Sequence, residues 1–372
     1  MYIEPFAIEQ YFALYEFNTR FLLCASDCET MSAGELVALA GQSLKDMAAL
    51  PLGYTESQGD PELRAAIATT YNGRAPREVV VLGSPEEGIY LAMRALLEPG
   101  DHVIVLTPAY DSLLNLARHV SGNVSEWPIR AVEGAWQLDI DQLSDLITDN
   151  TKLIVINFPH NPTGFLPSAE QLSEIAAVAA RHNAWLFCDE MYRGLELGGR
   201  STLPSAVDLY ERAVVLAGLS KVYGLPGLRA GWLVVRDAAL REAIINWKFY
   251  TSICPAAPTE FLAKAALSAR AELITRNRRL IEQNVAVAEP FFERWLDMFV
   301  WRPPQAGSIA LVGLNHPSAT AYCHRLAQEA GVLLLPSSCL GYGDGHVRMG
   351  FGRADFEQGL AHYESFLLQD DL

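Results

Sequence analysis

The chain has 372 residues, half of them hydrophobic, and its formal net charge at pH 7 is −16. This length exceeds what one hydrophobic core usually serves, so we expect a large domain and a smaller one. The composition argues against disorder, and the acidic charge argues against nucleic acid or an anionic membrane as a partner. No apolar run in the sequence reaches the roughly 18 residues of a membrane-spanning helix.

Six cysteines are few for a chain of this length, and their spacing shows no metal-binding pattern. Cys188 lies within an apolar run, and Cys24 and Cys28 have no matching histidine pair. We therefore expect neither a metal site nor a disulfide framework. The sequence also opens without the basic and apolar blocks of a signal peptide, so we expect a reducing, cytoplasmic location.

The N-terminal part precedes the regular pattern of the chain. Residues 8–15 have the pattern of an aromatic-rich helix, and residues 25–29 that of a polar loop. Residues 53–64 are punctuated by Gly and Pro and predict a loop that opens a helix, with Pro61 in its first turn.

Six short apolar runs then alternate with segments of helical pattern. The runs span residues 79–82, 102–106, 153–156, 185–188, 214–216 and 232–235. Continuous apolar strands between helices are typical of a mostly parallel sheet covered on both faces, so the predicted fold class is α/β.

The remainder of the chain predicts a second, smaller domain. Residues 259–296 have a long helical pattern, and the weaker strands and helices after them predict a small α+β domain. We expect residues 1–38 to form an N-terminal arm that shares in the small domain. Residues 39–275 would form the large domain, and residues 276–372 the C-terminal small domain.

Polar residues come directly after nearly every predicted strand of the large domain. They are residues 83–88 after the first strand, Tyr110 after the second, residues 157–164 after the third, Asp189 and Tyr192 after the fourth, and Ser220 and Lys221 after the fifth. In open α/β sheets, ligands bind outside the carboxyl ends of the strands. Residues 83–88 also open a helix, and the N–H groups at a helix start can hold a phosphate.

The stretch from residue 219 to residue 232 carries the strongest chemical signal. A lysine in an apolar surround beside another cation loses part of its preference for the charged form, so Lys221 becomes a usable amine nucleophile. It can form a Schiff base with an aldehyde cofactor, while Ser220 and Arg229 can hold a phosphate. An isolated Ser-Lys pair would favour a surface lysine instead, but the polar residues after the other strands complete what pyridoxal phosphate (PLP) needs.

These residues resemble, in their order along the chain, the class I/II aminotransferase family of PLP-dependent enzymes. The resemblance rests on Tyr54, Gly83, Ser84, Tyr110, residues 161–164, Asp189, Tyr192, Ser220, Lys221, Arg229 and Arg348. It implies fold type I, in which a seven-stranded, mostly parallel sheet is flanked by helices and the large domain carries PLP.

The resemblance also implies catalytic roles. Lys221 would form the Schiff base and move the proton between substrate Cα and the cofactor. Asp189 would keep the pyridine nitrogen protonated, so that the ring withdraws electrons from the substrate. Asn161 and Tyr192 would hydrogen-bond the phenolic oxygen of the ring. Arg348 would hold the substrate α-carboxylate with two hydrogen bonds, and Asn161 would also face the substrate.

Further residues would hold the cofactor itself. Tyr110 would stack on the ring, and Ser220, Arg229 and the amides at Ser84 and Glu86 would bind the phosphate. Tyr54 would reach the phosphate from a partner subunit, which predicts a homodimer with shared sites.

The chain departs from the family pattern at the phosphate site. Gly218 stands where the family often has a second serine, and Pro85 has no N–H to donate. Thr251 or Ser252 of a neighbouring subunit could compensate, although both could equally be ordinary helix or loop positions.

The reaction remains open between two chemistries. Residues 157–164, 219–232 and 333–339 resemble a subgroup that includes capreomycidine-synthase-like enzymes, which abstract the Cα proton and then lose a β-hydroxyl. A modified arginine would then be the substrate, and Glu16, Asp27 or Glu29 could bind its guanidinium, or be ordinary solvated carboxylates. Transamination is the commoner activity on this scaffold, so we expect an aminotransferase that passes the amino group of an L-amino acid to a 2-oxo acid.

Two other classes fit less well. A non-catalytic PLP-binding module of a regulator should carry a basic DNA-binding segment, which this acidic chain lacks. A nicotinamide-dependent dehydrogenase should show Gly-x-Gly-x-x-Gly after its first strand, and that motif is absent there.

Overall fold

A computed structural model describes residues 2–370 of the chain. These residues form fourteen α-helices: α1 Ala7–Tyr15, α2 Ala33–Leu39, α3 Leu44–Ala48, α4 Pro61–Ala68, α5 Pro85–Leu96, α6 Asp111–Ser121, α7 Ile140–Leu146, α8 Ala169–Arg181, α9 Ala206–Leu209, α10 Ala238–Lys248, α11 Ala257–Ser268, α12 Arg270–Arg294, α13 Ala319–Ala330 and α14 Phe356–Asp370. Short 3-10 helices lie at Pro76–Glu78, Pro226–Leu228 and Ser337–Leu340. Within residues 2–370, no helix is both long and apolar enough to cross a bilayer.

The same residues form thirteen strands. They are β1 Val79–Leu82, β2 His102–Thr107, β3 Asn123–Pro128, β4 Arg130–Val132, β5 Ala135–Gln137, β6 Thr151–Asn157, β7 Trp185–Asp189, β8 Ala213–Gly218, β9 Gly231–Val235, β10 Phe299–Val300, β11 Ile309–Leu314, β12 Leu335–Pro336 and β13 His346–Gly350.

Seven of these strands form one large sheet in the order β1-β9-β8-β7-β6-β2-β3. Strand β9 runs antiparallel to both β1 and β8, and every other neighbouring pair in this sheet is parallel. The prediction of an α/β fold with a mostly parallel seven-stranded sheet is therefore confirmed. The edge strand β3 was not predicted, because its residues are mostly exposed or half-buried and mix polar with apolar side chains.

Alternate residues of the apolar strands face opposite sides of the sheet, where helices cover them. In β1, Val79 and Val81 belong to one hydrophobic core, whereas Val80 and Leu82 belong to a second core on the other face. Successive side chains of a strand point to opposite faces, so a strand buried on both faces reads as a continuous apolar run. This double burial explains why six of the seven strands could be predicted.

The chain turns at the carboxyl ends of β1 and β2 into helices that begin almost at once. Helix α5 starts with Pro85, and the Ser84 hydroxyl accepts a hydrogen bond from the Glu87 amide at 3.2 Å. Helix α6 starts at Asp111, directly after Tyr110. Both turns therefore place polar and aromatic residues at the same edge of the sheet.

A second, antiparallel sheet has the order β10-β11-β13-β12. The segment after α1 runs beside this sheet, since Phe21 pairs with Val332 and the Gly350 amide donates to the Leu23 carbonyl at 2.8 Å. The predicted helical stretch at residues 259–296 divides into α11 and α12, which separate at Ala269. The domain boundaries at residues 38/39 and 275/276 stay a prediction.

Candidate active site

A cavity of about 850 Å³ lies at the carboxyl ends of the central strands of the large sheet. Its walls include these predicted site residues: Asp27, Glu86, Tyr110, Asn161, Asp189, Tyr192, Ser220, Lys221, Arg229 and Arg348. They come from the strand ends of the large sheet, the N-terminal segment and β13 of the small sheet. The volume lies within the range usual for small-molecule sites.

Lys221 lies three residues beyond β8 and points its amine into this cavity. Its Nζ donates to the Ser26 hydroxyl at 2.8 Å. Burial lowers the pKa of Lys221 from its ordinary value, while the carboxylates of Asp27 and Asp189 act in the opposite direction. The surroundings therefore shift Lys221 toward the neutral amine, the form that can act as a nucleophile or a base.

Asp189 is the last residue of β7 and is buried. Burial raises the pKa of this carboxyl to about 6, although the Met191 amide, which donates to Oδ1 at 3.0 Å, and Lys221 lower it. A buried carboxylate is costly without a cationic partner. The protonated ring nitrogen of a pyridine cofactor would supply that partner.

Asn157 joins the ends of β6 and β7 and so fixes two predicted site residues. Its Oδ1 accepts from the Asn161 amide at 2.7 Å, and its Nδ2 donates to the Asp189 carbonyl at 2.9 Å. Tyr192, which is also buried, donates from its hydroxyl to the Ser26 carbonyl at 3.2 Å.

Arg348 reaches the same cavity from β13 and is almost completely buried. Nη2 donates to the Cys24 carbonyl at 3.1 Å, and Nη1 donates to Asn161 Oδ1 at 3.4 Å. Nε has no hydrogen-bond partner among residues 2–370. A buried guanidinium with an unused donor is suited to receive a carboxylate with two hydrogen bonds.

The opposite end of the cavity is formed by Ser220, Arg229 and the start of α5. The Ser220 hydroxyl is buried and has no partner within the described part of the chain. Arg229 has φ of 47°, in the left-handed region that is uncommon for residues other than glycine. Burial raises the pKa of the Glu86 carboxyl in the first turn of α5 to about 7.

Several predicted residues lie elsewhere. Ser84 lines a neighbouring cavity of about 560 Å³, which shares Glu86 with the first, and its hydroxyl already caps α5. Thr251 and Ser252 line that second cavity beside Glu87 of their own chain, where the Thr251 hydroxyl donates to the Glu87 carboxylate. They therefore contact the α5 start within one chain, and a contribution to the site of a neighbouring subunit stays a prediction.

Two more expected positions lie outside both cavities. The Tyr54 side chain is 93% exposed and lines neither of them. Glu29 accepts from the Ala354 amide at 3.0 Å and does not line the large cavity. Of the acidic candidates, Glu16 and Asp27 do line it.

The cavity residues that were not predicted include Glu9, Ser26 and Arg353. Glu9 lies in α1, and Glu16 follows seven residues later at the end of this helix. Because a spacing of seven places two side chains on one face of a helix, it could have revealed Glu9. Arg353 pairs with Asp27 at 3.0 Å. Nothing in the local sequence of Ser26 points to its role.

The side chains at this cavity fit PLP. The unused donor of Ser220 matches the phosphate, and that of Arg348 matches the substrate carboxylate. The buried carboxyl of Asp189 matches the ring nitrogen, and the amine of Lys221 matches the aldehyde carbon. Arg229 lines the same cavity and carries a positive charge.

Comparison with known proteins agrees with this fit. Residues 21–358 match the family model for aminotransferase class I and II. The chain is 32% identical to capreomycidine synthase from Streptomyces vinaceus, over 96% of this chain and 91% of that protein. It is 28% identical to the arginine–pyruvate transaminase AruH of Pseudomonas aeruginosa, over 80% and 77% of the two chains.

Solved structures of both kinds of enzyme share the fold. A PLP-dependent aminotransferase from Streptococcus suis superposes with a TM-score of 0.93 and 28% identity, over 99% of each chain. The PLP-dependent cyclase OrfR superposes with a TM-score of 0.92 and 27% identity, over 100% of this chain and 98% of that one. The chain therefore belongs to the class I and II aminotransferase family and is a PLP-dependent enzyme.

Proposed function

We propose that the protein is an aminotransferase that takes the amino group from an L-amino acid and passes it to a 2-oxo acid at the same site. The observation that carries this proposal is the meeting of Lys221, Asp189 and Arg348 in one cavity. They supply a nucleophilic amine, a partner for the ring nitrogen and a receptor for the α-carboxylate.

Bound PLP supplies an electron-withdrawing ring that accepts negative charge from the substrate Cα. Lys221 would hold the cofactor through Nζ, and as a free amine it would take the proton from the substrate Cα. Asp189 would hold a proton on the ring nitrogen, a role that its burial and its raised pKa support.

The remaining groups position the two ligands. Ser220 and Arg229 bind the phosphate, together with the Glu86 amide at the start of α5. Tyr110 would pack on the ring face, and Asn161 would donate to the ring oxygen. Tyr192 would also donate to that oxygen once its hydroxyl releases the Ser26 carbonyl, to which it donates in this structure. Arg348 would bind the α-carboxylate, for which its Nε is a buried donor without a partner among residues 2–370.

We further infer that the amino acid carries a cationic side chain. Three carboxylates line the cavity on the side of α1 and the N-terminal segment, namely Glu9, Glu16 and Asp27. Burial raises the pKa of Glu16, and the nearby Glu9 and Asp27 carboxylates raise it further. A ligand cation would relieve this crowding of negative charge.

A second candidate is a lyase or dehydratase-cyclase that acts on a modified arginine. The same three carboxylates and the similarity to capreomycidine synthase favour it. The two reactions share removal of the Cα proton by Lys221 and differ in their later steps. A cyclase leaves the cofactor in its aldehyde form, whereas a half-transamination leaves it in its amino form.

A homodimer with shared sites is part of the proposal. Tyr54 and Tyr250 are both more than 80% exposed on the single chain, at 93% and 81%. Large apolar side chains with this exposure are suited to an interface between subunits. A cytoplasmic location stays a prediction.

Steady-state kinetics test the proposed function. Because both substrates use one site in turn, double-reciprocal plots at several 2-oxo acid concentrations should be parallel. Turnover of an amino acid that does not depend on any 2-oxo acid would contradict transamination.

A further inference from the structure

The segment at residues 23–29 is held against β13 and the loop after it. The Gly350 amide donates to the Leu23 carbonyl at 2.8 Å, and the Glu29 amide donates to the Gly352 carbonyl at 2.7 Å. A Cβ on Gly350 would overlap the Ala25 carbonyl, and one on Gly352 would overlap the Asp27 carbonyl. The segment can lie this close only because both positions lack a side chain.

Ser26 is the centre of this segment and is fixed from its backbone side. Its carbonyl accepts two hydrogen bonds, one from the Ser308 hydroxyl at 2.7 Å and one from the Tyr192 hydroxyl at 3.2 Å. Ser308 is completely buried, so this anchor is shielded from solvent. These two hydrogen bonds restrict the position of the Ser26 backbone, from which its side chain extends.

The Ser26 hydroxyl meets the reacting atom of the lysine. Its Oγ lies 2.8 Å from Lys221 Nζ, and no other hydrogen bond of this amine occurs among residues 2–370. Asp27, Asp189 and Arg348 influence the amine through their charges. Among the described residues, Ser26 is therefore the one that forms a hydrogen bond with the amine.

We propose that Ser26 is a positioning residue for Lys221, an inference that rests on the proposed function. The Ser26 hydroxyl would hold the free Nζ in one place within the cavity, by the contact seen at 2.8 Å. A hydroxyl suits this task because it is neutral. A carboxylate in its place would raise the pKa of the lysine and keep it protonated, so that it could not accept the Cα proton.

The test compares Ser26→Ala with Ser26→Thr in the full chain loaded with PLP. Ser26→Ala removes the contact, and we expect kcat to fall about tenfold to a hundredfold with little change in KM, as for other small misplacements of a reacting group. The primary isotope effect with an α-deuterated amino acid should rise, because proton removal becomes slower than the other steps. Ser26→Thr keeps the hydroxyl and should recover most of the rate.

A second readout does not depend on turnover. Apo-protein mixed with PLP should attach it to Lys221 more slowly in Ser26→Ala than in the wild type, followed by absorbance and by borohydride trapping with mass spectrometry. Melting temperatures identify any variant that fails to fold. A wild-type rate of attachment and an unchanged isotope effect in Ser26→Ala would overturn the proposal, as would equal losses in Ser26→Ala and Ser26→Thr.

The two proposals fail in different ways. A wild type that forms no 2-oxo acid would refute transamination, but the attachment rates would still decide the role of Ser26.

Discussion

A Cβ on Gly218 would lie 2.9 Å from Cγ of Pro85. It would also lie 2.8 Å from the Ala230 carbonyl, and a Cβ on Gly231 would meet Pro85 at 2.9 Å. Pro85 therefore occupies the space in which a side chain at position 218 would begin. The missing family serine and the proline at the start of α5 are one structural feature, because the glycine leaves the room that the proline ring fills.

This relationship predicts that Gly218→Ser destabilises the protein, although it restores a residue common in the family. Overpacking of this kind costs about 1–3 kcal/mol. Pro85→Ala removes one of the two close contacts. The double variant should therefore lose less free energy of unfolding than the sum of the losses in the two single variants. A double-mutant cycle by denaturant unfolding measures this coupling, and strict additivity would contradict direct packing.

We expect the affinity for PLP to fall as the pH rises through about 7. Glu86 lines the cavity in the first turn of α5, where we propose that the phosphate binds, and burial raises its pKa to about 7 from an ordinary 4.5. Above that pH its carboxylate would repel the phosphate. Glu86→Gln should therefore bind PLP about tenfold more tightly at pH 8 than the wild type, while the two should be similar at pH 6.

The same raised pKa has a consequence for stability with a definite sign. A carboxyl that binds its proton more tightly when folded stabilises the protein fully below pH 4.5, and this contribution is lost as the pH rises through about 7. Apo Glu86→Gln should lose less stability than the wild type between pH 5 and 8.

Pyridoxal, which has no phosphate, is the control ligand for the binding measurement. An equal pH dependence of PLP binding in Glu86→Gln and the wild type would contradict repulsion between Glu86 and the phosphate.

The shared-site dimer can be tested by mixing two inactive proteins. Lys221→Ala lacks the amine, and Tyr54→Ala should lose affinity for PLP in the partner's site. A hybrid dimer contains one site that combines an intact Lys221 with an intact Tyr54 from the other subunit. Co-refolding should thus restore up to about a quarter of the wild-type activity if subunits mix at random. Activity no greater than the sum of the separate variants, or an active monomer by size measurement, would contradict shared sites.

Preference for a cationic side chain should depend on Glu16. Glu16→Gln removes one of three carboxylates at the cavity, so KM for arginine should rise roughly tenfold, as expected for a lost contact between charges in a partly buried site. KM for a neutral amino acid should stay unchanged. Glu29→Gln is the matched control, because Glu29 belongs to the same N-terminal region but does not line the cavity. Equal effects on both substrates would contradict recognition of a cation.

The sequence predicted what depends on local pattern and could not predict what depends on distant contacts. Strands such as β1 were predictable because they are buried on both faces, whereas the half-exposed edge strand β3 resembled a loop. Lys221, Asp189 and Asn161 could be assigned to one site because parallel strands end at one edge of the sheet. Ser26 could not be assigned, since its partner Lys221 is 195 positions away in the sequence.

The position of Ser84 in the sequence is compatible with two local functions. A serine before Pro85 at a strand end is typical of a phosphate-binding turn and equally of a helix cap. The structure shows the hydroxyl bound to the Glu87 amide, and the sequence alone could not separate these two uses.

A single-turnover product analysis tests the central claim most directly. PLP-loaded protein is mixed with each amino acid in turn, without any 2-oxo acid, and both products are measured by mass spectrometry. Transamination predicts one equivalent of the matching 2-oxo acid and one equivalent of the cofactor in its amino form, with a cationic amino acid as the best donor. Recovery of the cofactor as PLP, together with a dehydrated or cyclised amino acid and no 2-oxo acid, would contradict the aminotransferase and establish the cyclase.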